Sequence, residues 1–336
     1  MVSSKKKIAF VNFRGGFIPE NNIITKLLRE KWDVEITDTT HADYVFFSDH
    51  GDDHWFVPDR IVKIYVTIEN LVPDFNACDY GIGFEWMDYG DRYLRMPLYY
   101  TYPDINELVE KRHFQSFNDI KSEKTEFCSI TVSNANRDSI FCTLFDTLSK
   151  YKRVDSGGMW KNNIGGRVND KMAFDRSHKF TIVCENSAHP GYTTEKIVQA
   201  FAANCIPIYW GDPEITRVFN PKAFIHVQNY NSVNDVLDYV IKVDTNDNLW
   251  KSMVREPVLM DSCFSKTNQE ELLRQFLSNI FNQPIELAYR RNRVFWGELY
   301  VKDRRIQSKS LCHILYQQYR VLTWKIKTFL RQKLHI

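Results

Sequence analysis

Short apolar runs alternate with stretches of helical spacing along most of the chain. Residues 7–13 (KIAFVNF), 43–48 (DYVFFS) and 60–69 (RIVKIYVTIE) have the length and the aromatic and β-branched content of strands. Between the first two, residues 21–32 place Ile24, Leu27 and Leu28 on one helical face. The polar segment 115–126 reads as a linker, and a second series begins at Cys128. It predicts a helix over 137–151, a strand and turn over 152–158, a strand over 179–186 and a helix over 194–204. A final strand over 205–211 has the continuous apolar character of a parallel sheet buried on both faces. The pattern therefore predicts an α/β protein with two domains in tandem, 1–118 and 125–285, followed by a tail, 286–336.

Composition narrows the class. A chain of 336 residues with 43% apolar content can bury a large core. No apolar run approaches the roughly 18 residues that a membrane span needs. The lysines before residues 7–13 imitate the start of a secretory signal, but the run stops at Arg14 without a small-residue cleavage pattern and reads as a first strand. Seven cysteines without a closely spaced pair suit reduced thiols in a cytoplasmic protein, with Cys128, Cys184 and Cys205 in core surroundings.

Charge is uneven. Net charge is +2, yet residues 286–336 carry 12 Lys and Arg against 3 Asp and Glu, a local +9. Such a run suits nucleic acid, an anionic membrane surface or plain solvent. Written as a helix over 309–334, it puts Leu311, Leu315, Leu322, Ile326 and Phe329 on one face and Lys309, His313, Arg320, Lys327 and Arg331 on the other. That pattern fits a helix lying on a membrane surface, or one packing its apolar stripe on the protein itself.

Candidate chemistry concentrates in residues 180–213, FTIVCENSAHPGYTTEKIVQAFAANCIPIYWGDP. In an open parallel sheet, ligands collect beyond the carboxyl ends of the strands, where the next helix presents unpaired N–H groups and the positive end of its dipole. Here Thr193 or Thr194 can cap the helix and Gly191 permits close backbone approach. Lys196 puts a cation in the first turn, where it opposes the dipole unless an anion sits there. Taken alone, Lys196 reads better as a lysine pointing into water; the whole constellation at one strand end favours the bound anion. His41, His50 and His54 cluster with Asp49, Asp52 and Asp53, but their spacing fits no familiar zinc pattern.

These residues carry a resemblance. The elements ENS, GYTTEKI, IPIYWG and FNPKAFI stand in the order and spacing of the α-1,3-fucosyltransferases, glycosyltransferase family 10. SNANRDS, DYGDRYLRMPLYY, VTIEN and IAFVNFRGG extend the likeness over most of residues 7–260, and the N-terminal elements look most like the bacterial Helicobacter-type members.

The resemblance implies the GT-B architecture: two Rossmann-like domains facing across a cleft, an N-terminal one for the acceptor and a C-terminal one for GDP-fucose, with no metal or other cofactor. The implied reaction is inverting transfer of L-fucose to a glycan hydroxyl, with O-3 of GlcNAc in N-acetyllactosamine-type glycans as the leading target. Other readings keep the fold: transfer from another nucleotide sugar, or an inactive sugar-nucleotide or glycan-binding module. Residue by residue, Glu69 matches the family's catalytic base. Lys196 and Arg137 match the phosphate-binding cations, Asn186 the amide beside the donor, and Tyr192 the aromatic hydroxyl near the nucleotide. Glu195 matches the carboxylate before the lysine; since it would repel a pyrophosphate, it suits the ribose hydroxyls, or simply the helix dipole. Glu185 reads as a tie for the loop. The expected acceptor is a free oligosaccharide or a lipid-linked glycan, and no nucleic acid is expected. Residues 305–336 would hold the enzyme peripherally at the inner face of the cytoplasmic membrane. At 85–86 the chain reads Glu-Trp where the Helicobacter-type members carry Asp-Glu, so acceptor preference is the property expected to differ.

Overall fold

The computed structural model describes residues 5–334 apart from 68, 103–108, 110–114, 134–139 and 292–293. The chain forms two compact units, Met1–Thr101 with Gln269–Lys325, and Tyr102–Asn268 with Ile326–Ile336.

In the first unit, β1 (Lys6–Val11), β2 (Val34–Ile36), β3 (Tyr44–Phe47), β4 (Val62–Val66), β5 (Tyr80–Gly83) and β6 (Tyr93–Arg95) form one six-stranded sheet. The order is β2-β1-β3-β4-β5-β6, parallel throughout. The helix Ile23–Arg29 begins where the Asn22 side chain accepts from the N–H of Thr25, and it buries Ile24, Leu27 and Leu28 as its spacing requires. From Gln269 onward, the helix Lys266–Asn282 stacks Phe281 on Tyr44 of β3, ring centroids 4.1 Å apart, and sets Phe276 edge-on to Tyr80 of β5.

Residues 269–325 thus return to the N-terminal sheet, and this corrects the expected boundaries at 285 and 286. The reason is electrostatic as well as apolar. Asp79, wholly buried beside β5, accepts from the N–H groups of Lys63, Arg290 and Arg291 at 2.7, 2.7 and 2.8 Å and from Nη1 of Arg291 at 2.8 Å. A buried carboxylate must be neutralised and hydrogen-bonded, and here a segment 212 residues away completes it. The helix Trp296–Lys309 then lies against the loop after β3: Arg305 donates to the carbonyl of Trp55 at 2.6 Å and to Asp59 at 2.7 Å. Ser310, with extended backbone, ends this helix, and the helix expected over 309–334 follows it as Leu311–Leu334. In the following helix Leu311–Leu334, His313 pairs with Asp52 at 2.7 Å.

The second unit holds β7 (Glu126–Ile130), β8 (Val154–Ser156), β9 (His178–Cys184), β10 (Ile206–Trp210) and β11 (Ile225–His226), parallel, in the order β11-β10-β9-β7-β8. Its core joins Cys128, Ile130, Phe180, Ile182, Ile206 and Ile208 with Leu144 and Val240 from flanking helices. The segment expected to be a linker contains the helix Phe117–Glu123, because Phe117 and Ile120 share one face and are buried in this core. Cys128 and Cys205 are buried as expected and Cys184 is half-buried; all seven cysteines are free thiols.

Candidate functional site

Strand order locates the site. In the second unit the sheet runs outward in opposite directions from β7 and β9, which is the switch point of a doubly wound sheet, and a crevice opens there beyond the strand ends. A cavity of about 500 Å³ occupies it, lined by Thr131–Ser133 after β7, Cys184 at the end of β9 with Glu185 and Asn186 beyond it, Lys171, Trp210, and Glu195, Lys196 and Gln199 of the helix Glu195–Ala202.

Glu185 organises the wall. Only 3% exposed, it accepts from the N–H and hydroxyl of Thr194 at 2.8 and 2.7 Å and from the ammonium of Lys196 at 2.8 Å. Thr194 occupies the cap position of the helix, yet its hydroxyl turns to Glu185 rather than capping. Lys196 donates also to that hydroxyl at 3.0 Å, which leaves one of its three donors for a ligand. Gly211 lets Glu185 in: a Cβ there would stand 2.5 Å from Cγ of Glu185. The turn before the helix is fixed by buried Asp212, which accepts from the N–H of Gly191 at 2.9 Å and the hydroxyl of Thr193 at 3.1 Å; Gly191 has φ +83°, the left-handed region that favours glycine. Burial pushes the Cys184 thiol well up, so this lining sulfur stays protonated.

Opposite lies a second cation. Lys171 donates at 2.6 Å to Asp175, which is fully buried and also accepts from the Ser129 hydroxyl at 2.7 Å. Sequence reasoning missed Lys171, which opens the short helix Lys171–Arg176; the available signal was Asp170, whose side chain accepts from the N–H of Ala173 as an N-cap. The structure brings Asn186, Glu195 and Lys196 together at the cavity. Tyr192 is 3% exposed and is not part of the cavity wall, and Arg137 lies outside the described residues.

In the first unit, Glu69 is exposed just beyond β4. The Thr67 hydroxyl donates to the carbonyl of Glu69 at 2.8 Å and faces its N–H at 3.3 Å, so a tight local turn presents the carboxylate at the strand end. Among the described residues, no group of three or more His, Cys, Asp or Glu is arranged to hold a metal ion.

Two Rossmann-like units, the second with a cation-lined crevice at its switch point, define the GT-B class of glycosyltransferase folds. The α-(1,3)-fucosyltransferase FucT N-terminal domain pattern matches residues 8–102, and the glycosyltransferase family 10 (fucosyltransferase) C-terminal pattern matches residues 121–256. The chain belongs to glycosyltransferase family 10, the α-1,3-fucosyltransferases. It is 31% identical over 285 residues to the α-(1,3)-fucosyltransferase FucT of Helicobacter pylori, which covers 74% of this chain and 59% of that protein. The chain thus spans about three-fifths of that relative and about a third of two others it matches. An α1,3-fucosyltransferase crystal structure superposes with TM-score 0.74 at 25% identity, covering 87% of this chain and 93% of that one. The same kind of enzyme with GDP-fucose gives TM-score 0.68 at 26% identity, covering 84% and 92%.

Proposed function

We propose that the protein transfers L-fucose from GDP-fucose to a glycan hydroxyl with inversion at the anomeric carbon, O-3 of GlcNAc in N-acetyllactosamine-type glycans being the leading target. The observation that carries this reading is the switch-point cavity, where Lys196, poised on Glu185, offers a charge-assisted donor beside a helix N-terminus. A diphosphate suits that place, because the N–H groups and the dipole of the helix add to the ammonium. Glu195 in the same first turn takes the ribose hydroxyls, and Asn186 and Arg137 complete the donor site in the family pattern. These protein cations replace a divalent metal at the pyrophosphate. The transition state has oxocarbenium character at the fucose, and Glu69 takes the proton of the attacking hydroxyl; its exposure leaves it open to a bound acceptor.

GDP release with N-acetyllactosamine as acceptor, followed by linkage analysis of the product, tests this reading. An acceptor panel of neutral and acidic glycans that yields no fucoside, with GDP-fucose bound but not turned over, would move the protein to the binding-module class. Activity should survive EDTA; loss on chelation with recovery on Mn²⁺ or Mg²⁺ overturns the metal-free part.

The membrane reading contracts. Arg305 and His313 are engaged in the first unit, so a surface-binding segment begins after them. Leu315, Tyr319 and Leu322 are each more than half exposed on the helix Leu311–Leu334, which also carries Arg320 and Lys325 and has no acidic residue. No helix among the described residues is long and apolar enough to cross a membrane. An anionic membrane fits this surface, with each basic residue adding about 1 kcal/mol. Salt-sensitive sedimentation with anionic vesicles, lost on truncation after residue 314, is the expected result.

A further inference from the structure

At the carboxyl edge of the first sheet, one edge of a guanidinium has no hydrogen-bond acceptor among the described residues. Arg95 ends β6, and its guanidinium lies 3.6 Å from the ring centroid of Trp86. Nε and Nη2, the two nitrogens of one guanidinium edge, are buried, and neither has a hydrogen-bond acceptor among the described residues. Stacking on an indole is favourable for Arg and fixes the plane of the group, but it satisfies none of the in-plane N–H donors. Buried guanidinium donors left unpaired cost free energy, and a pair of parallel N–H groups on one edge matches the two oxygens of a carboxylate.

Position supplies the rest. Arg95 pairs in register with Gly83 of β5, and β5 pairs with β4, beyond whose end Thr67 holds the turn of Glu69. Two strand spacings put the end of β6 roughly 10 Å from that of β4. An acceptor whose hydroxyl reaches Glu69 would therefore present its neighbouring sugar at Arg95. The backbone carbonyl of Glu85 accepts from the Tyr93 hydroxyl at 3.1 Å, which ties the turn that carries Trp86 to β6.

We propose that Arg95, held flat by Trp86, is a specificity-determining residue that binds a carboxylate on the sugar next to the one receiving fucose, so that the preferred acceptor is an acidic glycan. This rests on the acceptor lying at the carboxyl edge of the first sheet, as the proposed function has it. The test compares N-acetyllactosamine with the same disaccharide whose galactose C-6 has been oxidised to the carboxylate. Binding is first titrated calorimetrically without donor, and kcat/KM for transfer is then measured.

The wild type should favour the acidic disaccharide by at least about tenfold, the effect of one charge-assisted pair. Arg95→Gln should bring that ratio to about one, and Arg95→Lys, which keeps the charge but not the two-pronged edge, to an intermediate value. Equal affinity for the two disaccharides in the wild type, or a preference that survives Arg95→Gln, overturns the proposal. If Arg95→Gln does not fold, an Arg95→Lys enzyme with the full wild-type ratio overturns it as well. Because the titration needs no donor, a preference seen in binding without any fucosyl transfer would sink the transfer reading and leave the acidic-glycan site standing.

Discussion

The two units share one strand order around their switch points and use it in opposite ways. In the second unit the crevice between β7 and β9 is open, and its buried charges, Glu185 with Lys196 and Asp175 with Lys171, are paired so that the cations face a cavity. In the first unit the same crevice, between β1 and β3, is filled by the chain itself. Asn12, buried with φ 58°, donates to Asp53 at 2.8 Å and accepts from the N–H of His54 at 3.0 Å. His54 stacks on Phe47, centroids 4.5 Å apart. Topology creates a crevice in both units, and the side chains decide whether it stays an open cavity or becomes a plug. With the plug in place, the first unit has the ends of β4 to β6 left for a ligand, where Glu69 and Arg95 stand.

The contrast can be broken most severely at Glu69. Glu69→Ala should lower transfer by about 10² to 10⁴ while GDP affinity stays near wild type, because the proposed base and the proposed donor site belong to different units; near-normal turnover would remove Glu69 from the mechanism. Asp79→Ala, which strands Arg291 in the core, should cost the first unit about 3–5 kcal/mol. In calorimetry that unit should melt earlier while a GDP-stabilised transition remains. In the open crevice, Lys196→Ala should weaken GDP binding about tenfold to a hundredfold in titration calorimetry. It also leaves Glu185 buried without its cation, and Glu185→Gln in the same background should recover part of the lost stability.

The smallest effect lies in the plug. Burial, with Lys63 adding to it, pushes His54 down to about 4, against about 6.5 when unfolded. The unfolded chain binds the extra proton between these values, so stability is full above pH 6.5 and falls as pH drops toward 4, by up to about 1.4 kcal/mol per pH unit for one proton. His54→Gln should flatten denaturant midpoints over that window.

The elements most readable from sequence are those whose neighbours along the chain supply the signal. The strand expected over 179–186 is His178–Cys184, the helix over 194–204 is Glu195–Ala202, and the helix over 21–32 is Ile23–Arg29. The three-residue β2 and β6 are too short for a period, and β6 is embedded in an aromatic stretch that alternates no more clearly than its flanks. The return of residues 269–325 rests on pairs such as Asp79 with Arg291 and Asp52 with His313, which have no local pattern at all. The candidate site divides in the same way. Asn186, Glu195 and Lys196 were found through a contiguous motif, whereas Lys171 and Arg95 have meaning only beside Asp175 and Trp86, brought near by the fold.

The buried Asp79 also sets an order of events during synthesis. The second unit's main segment is finished once residue 268 has emerged, whereas the N-terminal sheet, made first, lacks Phe281 and Arg291 until later. At about 5–20 residues per second, the 190 residues from Thr101 to Arg291 take about 10–40 s. For that time the nascent sheet carries an unpaired carboxylate and bare aromatic rings on Tyr44 and Tyr80. The sheet that is translated first therefore waits longest for its core partners, and a chain whose emergence pauses between residues 268 and 291 would display the main segment of the second unit together with an unfinished, aggregation-prone N-terminal sheet.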